Sequence, residues 1–119
     1  MNVIFFKVEN VLNFEGSDAK APDGRMGISE ARVKELKKIS EGSRLVLTGE
    51  WRKEWDFDDA KCTPCGVYLN KKLDRRGLHI LDKTRETEND VDEWICRHDN
   101  VEKYCVLTDI EHIDWVVRK

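Results

Sequence analysis

The chain has 119 residues, 39% hydrophobic and 38% charged, with a formal net charge of −3. That length holds one domain with a real core but not two comfortable ones, and four tryptophans among regular apolar clusters argue against a disordered chain. Acids and bases are interspersed without a long run of either sign, so nucleic acid is not an expected partner, and no segment approaches the ~18 apolar residues of a membrane span.

The residues before Lys7 lack a basic stretch and a long apolar stretch, so no secretory signal is expected. The expected location is the cytoplasm, where reducing conditions keep the four cysteines as thiols. "NVIFF" (Asn2 to Phe6) is a continuous β-branched and aromatic run, the pattern of a strand covered on both faces. It delivers Lys7 and Glu9 to its C-terminal tip. Glu15 to Gly27, rich in Gly, Pro, Asp and Ser, reads as a long loop or small flap.

"SEARVKELKKISEG" predicts a helix with Ser29 as N-cap, Gly42 at its close and Ala31, Val33, Leu36 and Ile39 as its apolar stripe. "RLVLTG" (Arg44 to Gly49) predicts a second strand ending on Thr48. "EWRKEWDFDDA" (Glu50 to Ala60), with Trp51, Trp55 and Phe57, is expected to start a helix. "CGVYL" and "GLHIL" fit either a strand pair or one strand plus a loop. Thr87 followed by Asp90 resembles a capping box, and Val91, Trp94 and Ile95 then share a helical face. "YCVLTD" (Tyr104 to Asp109) predicts a further strand and "DWVVRK" (Asp114 to Lys119) a short last one.

This order predicts a single α/β domain, 1–119, with a mostly parallel sheet. Ligands of such sheets sit beyond the carboxyl ends of the strands, so Lys7, Glu9, Thr48 and Asp109 are expected to converge. "CTPC" (Cys62 to Cys65) would need the distant Cys96 and Cys105 or a histidine to complete a zinc site, and with Cys105 in a core strand and Cys96 in a helix, buried free thiols are a better account than zinc or redox chemistry. His79, His98 and His112 are scattered. The basic cluster "NKKLDRRG" (Asn70 to Gly77) reads as a solvated turn or helix end, and the tryptophans as core.

Four segments carry a likeness beyond the general pattern: "KVENVLN" (Lys7 to Asn13), "VLTGEWR" (Val46 to Arg52), "LDKTRETENDVDEWI" and "YCVLTDIEHI". Over most of its length the chain resembles the haloacid dehalogenase-like (HAD) superfamily, in particular its small bacterial and phage domains. The resemblance implies a three-layer Rossmannoid α/β sandwich with a minimal cap. It also implies a first strand ending in Asp-x-Asp-Gly-Val-Leu-Asn, a second ending in Ser or Thr, a basic residue near the start of the following helix, and a strand ending in Asp-Asp.

In such enzymes the first Asp is the nucleophile, the second the general acid/base, and Mg²⁺ is held by the first Asp and an acid of the fourth motif. Here "VLN", Thr48 and Trp51-Arg52 match, Lys83 and Arg85 are candidates for the basic residue, and Lys7, Glu9, Asn10 and Thr108 depart from the pattern. Asn10 in place of glycine is tolerable because Asn accepts the left-handed backbone region.

The implied function is a pseudophosphatase, binding a phosphorylated small molecule or a protein partner through Lys7, Thr48, Arg52, Lys83 and Arg85, with no cofactor expected. The alternative is an active phosphohydrolase using Glu9 and Asp109, with Mg²⁺ on Asp109. Lys7 has three readings: its ammonium stands in the metal's place and pairs with Asp109 or Glu9, it joins an anion pocket, or it extends into solvent.

Overall fold

Asn2–Phe6 forms β1, the middle of a five-stranded sheet ordered β3-β2-β1-β4-β5, with β2 at Ser43–Leu47, β3 at Ile80–Lys83, β4 at Lys103–Val106 and β5 at Val116–Val117. The structure, a computed structural model, describes residues 1–118. Phe5 lies opposite Val46 of β2 on one side and Val106 of β4 on the other, both in parallel register. Only β5 runs antiparallel, pairing Val116 with Tyr104. Of the expected last strand, Val116–Val117 is paired and Lys119 lies outside the described residues.

The unbroken apolar run of β1 has the meaning expected of it. Ile4 and Phe6 join one core with Val33, Leu36, Leu69 and Leu73, while Val3 and Phe5 join a second with Trp94 and Ile95. Both faces of the central strand are therefore sealed, with Phe5 edge-on to Trp94 at 5.5 Å.

The helices are α1 (Glu30–Ile39), α2 (Pro64–Asp74) and α3 (Asp90–Cys96). Ser29 caps α1 as expected, its hydroxyl accepting from the Arg32 N–H, and Val33 and Leu36 are buried. Ala31 is exposed, outside the buried stripe. α2 corrects the reading of "CGVYL" as a strand or loop. Thr63 is an N-cap, its hydroxyl accepting from the Gly66 N–H at 3.3 Å, Pro64 occupies the first turn, and Cys65, Leu69 and Leu73 repeat every four residues on the buried side.

α3 begins without the expected capping box. Asn89 precedes it at φ +57° with no side-chain cap, and the Thr87 N–H is turned back to the Arg85 carbonyl at 2.8 Å. The helix expected over Glu50 to Ala60 is two short 3-10 turns, Glu50–Glu54 and Asp59–Lys61. Two local competitors explain this. Asp56 and Asp58 accept from the N–H groups of Asp58 and Ala60, and the Lys83 ammonium donates to the Arg52 and Trp55 carbonyls at 2.8 and 2.6 Å.

Trp51, Trp55 and Trp94 are buried, and Trp115 is half-buried against the first core. The Glu15 to Gly27 loop is pinned to the body: Arg25 pairs with Glu54 at 3.3 Å and lies over the Trp51 ring at 4.9 Å. Among the described residues no helix is long and apolar enough to cross a membrane.

Candidate functional site

The parallel register carries β1 and β2 out of the sheet side by side. Past the strands, the Thr48 N–H still donates to the Phe6 carbonyl at 2.7 Å, and the Thr84 N–H to the Leu47 carbonyl at 3.0 Å. Lys7, Thr48 and Thr84 therefore leave the carboxyl edge together. Gly49 follows at φ +81°, ψ −168°, a conformation open essentially to glycine alone. A Cβ there would meet the Lys7 Cβ at 2.9 Å and a Glu9 carboxylate oxygen at 3.1 Å. The glycine lets the first two strand tips close on one another and brings Lys7 and Glu9 together over the second.

The loop after β1 is held by its own polar groups. Asn10 adopts φ +65°, in the left-handed region that asparagine accepts, and its N–H donates to Asn13 Oδ1 at 2.9 Å. Arg32 of α1 donates to the Asn10 carbonyl at 3.2 Å.

The expected pairing of Lys7 with Asp109 or Glu9 is corrected. Among the described residues Lys7 forms no ion pair with either. Asp109 is occupied within its own turn: Oδ1 accepts from the Glu111 and His112 N–H groups, both at 2.8 Å, and Oδ2 lies 2.9 Å from His112 Nδ1. The His112 contact, then the backbone donors, hold the Asp109 pKa below its ordinary 3.8, and the carboxylate raises that of His112 above 6.5. Thr48 is nine-tenths buried, and its hydroxyl donates to the Phe6 carbonyl at 3.3 Å.

The one carboxylate of this edge that the resemblance would offer to Mg²⁺, Asp109, already accepts from three groups within its own turn, and the neighbouring Lys7 and Thr108 supply no carboxylate. Among the described residues no three His, Cys, Asp or Glu side chains are grouped to hold a metal ion; all four cysteines are free thiols, Cys65 and Cys105 buried and Cys62 half-buried, but Cys96, expected to be buried, lies exposed at the end of α3.

The basic residues expected in the same pocket lie around the end of β3. Arg52 Nε donates to the Gly49 carbonyl at 2.9 Å. Its Nη1 reaches Thr84 Oγ1 at 2.9 Å, the Arg85 carbonyl at 3.0 Å and Asp90 Oδ2 at 2.9 Å. Thr84, only 2% exposed, completes the knot by donating to Asp90 at 2.7 Å. Lys83 clamps the carbonyls of the 3-10 turn, and Arg85 pairs with Glu93 at 3.2 Å. These three line a cleft of about 610 Å³ in which Lys7, Glu9, Thr48 and Asp109 take no part.

Gly49, Thr84, Asp90 and His112 are the site residues that sequence reasoning missed. A threonine directly after a strand was a legible signal at Thr48 and repeats at Thr84. The class defined by fold and site is a mostly parallel α/β domain with a cationic, hydroxyl-lined carboxyl edge. Comparison with protein-family models, curated proteins and solved structures finds no match to this chain.

Proposed function

We propose that the chain is a HAD-like, three-layer cytoplasmic domain with a minimal cap, a pseudophosphatase that binds a phosphorylated ligand at the carboxyl edge of its sheet without hydrolysing it. The observation that carries this reading is Lys7: a cation at the tip of the central strand, beside Thr48 and Gly49, with no carboxylate partner among the described residues. Its ammonium offers three donors to a phosphate oxygen. Thr48 contributes its hydroxyl by rotating the proton away from the Phe6 carbonyl, which keeps its bond from the Thr48 N–H. A lysine has no carboxylate with which to form an aspartyl-phosphate, so the covalent route is closed.

Titration with inorganic phosphate, followed by calorimetry and amide chemical shifts, tests the reading. Saturable shifts at residues 7–10 and 48–50 are expected, and Lys7→Ala should weaken binding by about tenfold or more, the value of one charge-assisted bond. Turnover of an aryl phosphate with Mg²⁺ or Mn²⁺ that disappears in Glu9→Gln or Asp109→Asn would instead establish the hydrolytic alternative.

A further inference from the structure

The cleft beside β3 combines an unbalanced charge with an exposed ring. Five cationic side chains line it, Arg52, Lys53, Lys83, Arg85 and Arg97, against the carboxylates of Asp82 and Glu86. The Asp82 carboxylate is directed into the fold, accepting from the Lys83 N–H at 2.7 Å and the Trp94 indole N–H at 2.8 Å. Arg52 is paired with Asp90 at 2.9 Å, but Arg85 and Arg97 share the single carboxylate of Glu93, and Lys83 is bonded to two carbonyls, which leave its charge uncompensated. In a chain of net charge −3 this is a local reversal of sign.

Phe57 also lines the cleft, 67% exposed, with its ring held edge-on to the buried Trp55 at 5.1 Å. An exposed phenyl ring that lines the same cleft as guanidinium groups offers a stacking platform for a planar ring. The volume, about 610 Å³, suits a small molecule.

We infer that this cleft is a binding site for a small molecule that carries a planar aromatic ring and a phosphate joined by a short linker, as a nucleoside monophosphate carries its base and its phosphate on one ribose. The ring stacks on Phe57, and the phosphate meets the ammonium of Lys53 and the guanidinium of Arg85, the two cationic groups whose ends are least committed to holding the fold. Arg52 and Lys83 shape the floor and contribute field. The inference does not depend on the strand-tip proposal, because none of Lys7, Glu9, Thr48 and Asp109 lines the cleft.

The test is calorimetric titration of the full chain with adenosine 5′-monophosphate, adenosine and inorganic phosphate. The nucleotide should bind about tenfold or more tighter than either fragment. Phe57→Ala and the double variant Lys53→Ala/Arg85→Ala, all at exposed positions and checked for native circular dichroism, should each weaken it by about tenfold, while Lys34→Ala, an exposed lysine of α1 away from the cleft, leaves it unchanged. Nucleotide binding no tighter than that of phosphate, indifferent to Phe57→Ala, or lost in Lys7→Ala would overturn the assignment. The last result would move the ligand to the strand tips.

Discussion

Arg52→Ala should unfold the chain more easily by about 2–4 kcal/mol, a large effect for a surface-proximal arginine. The Arg52 side chain is 17% exposed and that of Asp90 27%, so the pair lies between the exposed case, worth about 0–1 kcal/mol, and the buried one, whose disruption costs about 3–5 kcal/mol. Nη1 has two hydrogens for three acceptors within 3.0 Å, so at most two of those contacts are full bonds at once, and Nε adds a third to Gly49. Truncation strands the Gly49 and Arg85 carbonyls, which water can reach, and leaves Asp90 with the Thr84 hydroxyl. Urea denaturation of wild type, Arg52→Ala, Asp90→Asn and the double variant would yield a coupling energy of about 1–2 kcal/mol. Arg52→Lys should recover less than half of the loss, since one ammonium cannot span Gly49 and Asp90 together. A loss below about 1 kcal/mol with no coupling would show the knot to be surface decoration.

Gly66→Ala is expected to destabilise by about 3 kcal/mol, although helix propensity alone would give a gain of about 1 kcal/mol, because the new Cβ would lie 1.9 Å from the Glu54 carbonyl oxygen. A raised melting temperature would contradict the packing of α2 against the 3-10 turn. The Asp109–His112 pair should favour the folded state in mildly acidic solution. Its histidine share is full below pH 6.5 and fades as pH rises through the elevated His112 pKa, and its aspartate share, present above 3.8, fades as pH falls through the lowered one. In an NMR titration Asp109→Asn should return His112 towards 6.5, and an unchanged midpoint would refute the contact. Burial pushes the Cys105 thiol up to about 11, so at pH 8 a disulfide reagent should label exposed Cys96 rapidly and Cys105 only on unfolding. A Cys105→Ser variant that lowers the fast native amplitude would refute this.

The sheet was legible where one residue property decides structure. "NVIFF" has apolar side chains on both faces, and Ser29 caps the helix that follows the long loop. In α2 the apolar run "CGVYL" masks the helical signal, which lies in the Thr63-Pro64 start and the four-residue spacing of Cys65, Leu69 and Leu73. At the site, the strand tips could be read because a parallel sheet aligns them. The partners could not, since the Asp109 side chain is directed by its own turn and Lys83 by two carbonyls that exist only after the Arg52–Trp55 segment has folded.

The central place of β1 has a consequence for how the chain acquires its structure. Its neighbours start at Ser43 and Lys103, so one edge of the most apolar strand can be paired early and the other waits for a segment about a hundred residues away. Until β4 arrives, a half-sheet of β1, β2 and β3 would show an open "NVIFF" edge, with no charge along it to discourage a second molecule from adding its own strand. Solubility during synthesis is therefore governed by how quickly Lys103–Val106 closes that edge, and a chain cut before it should aggregate even though most of its sheet is present.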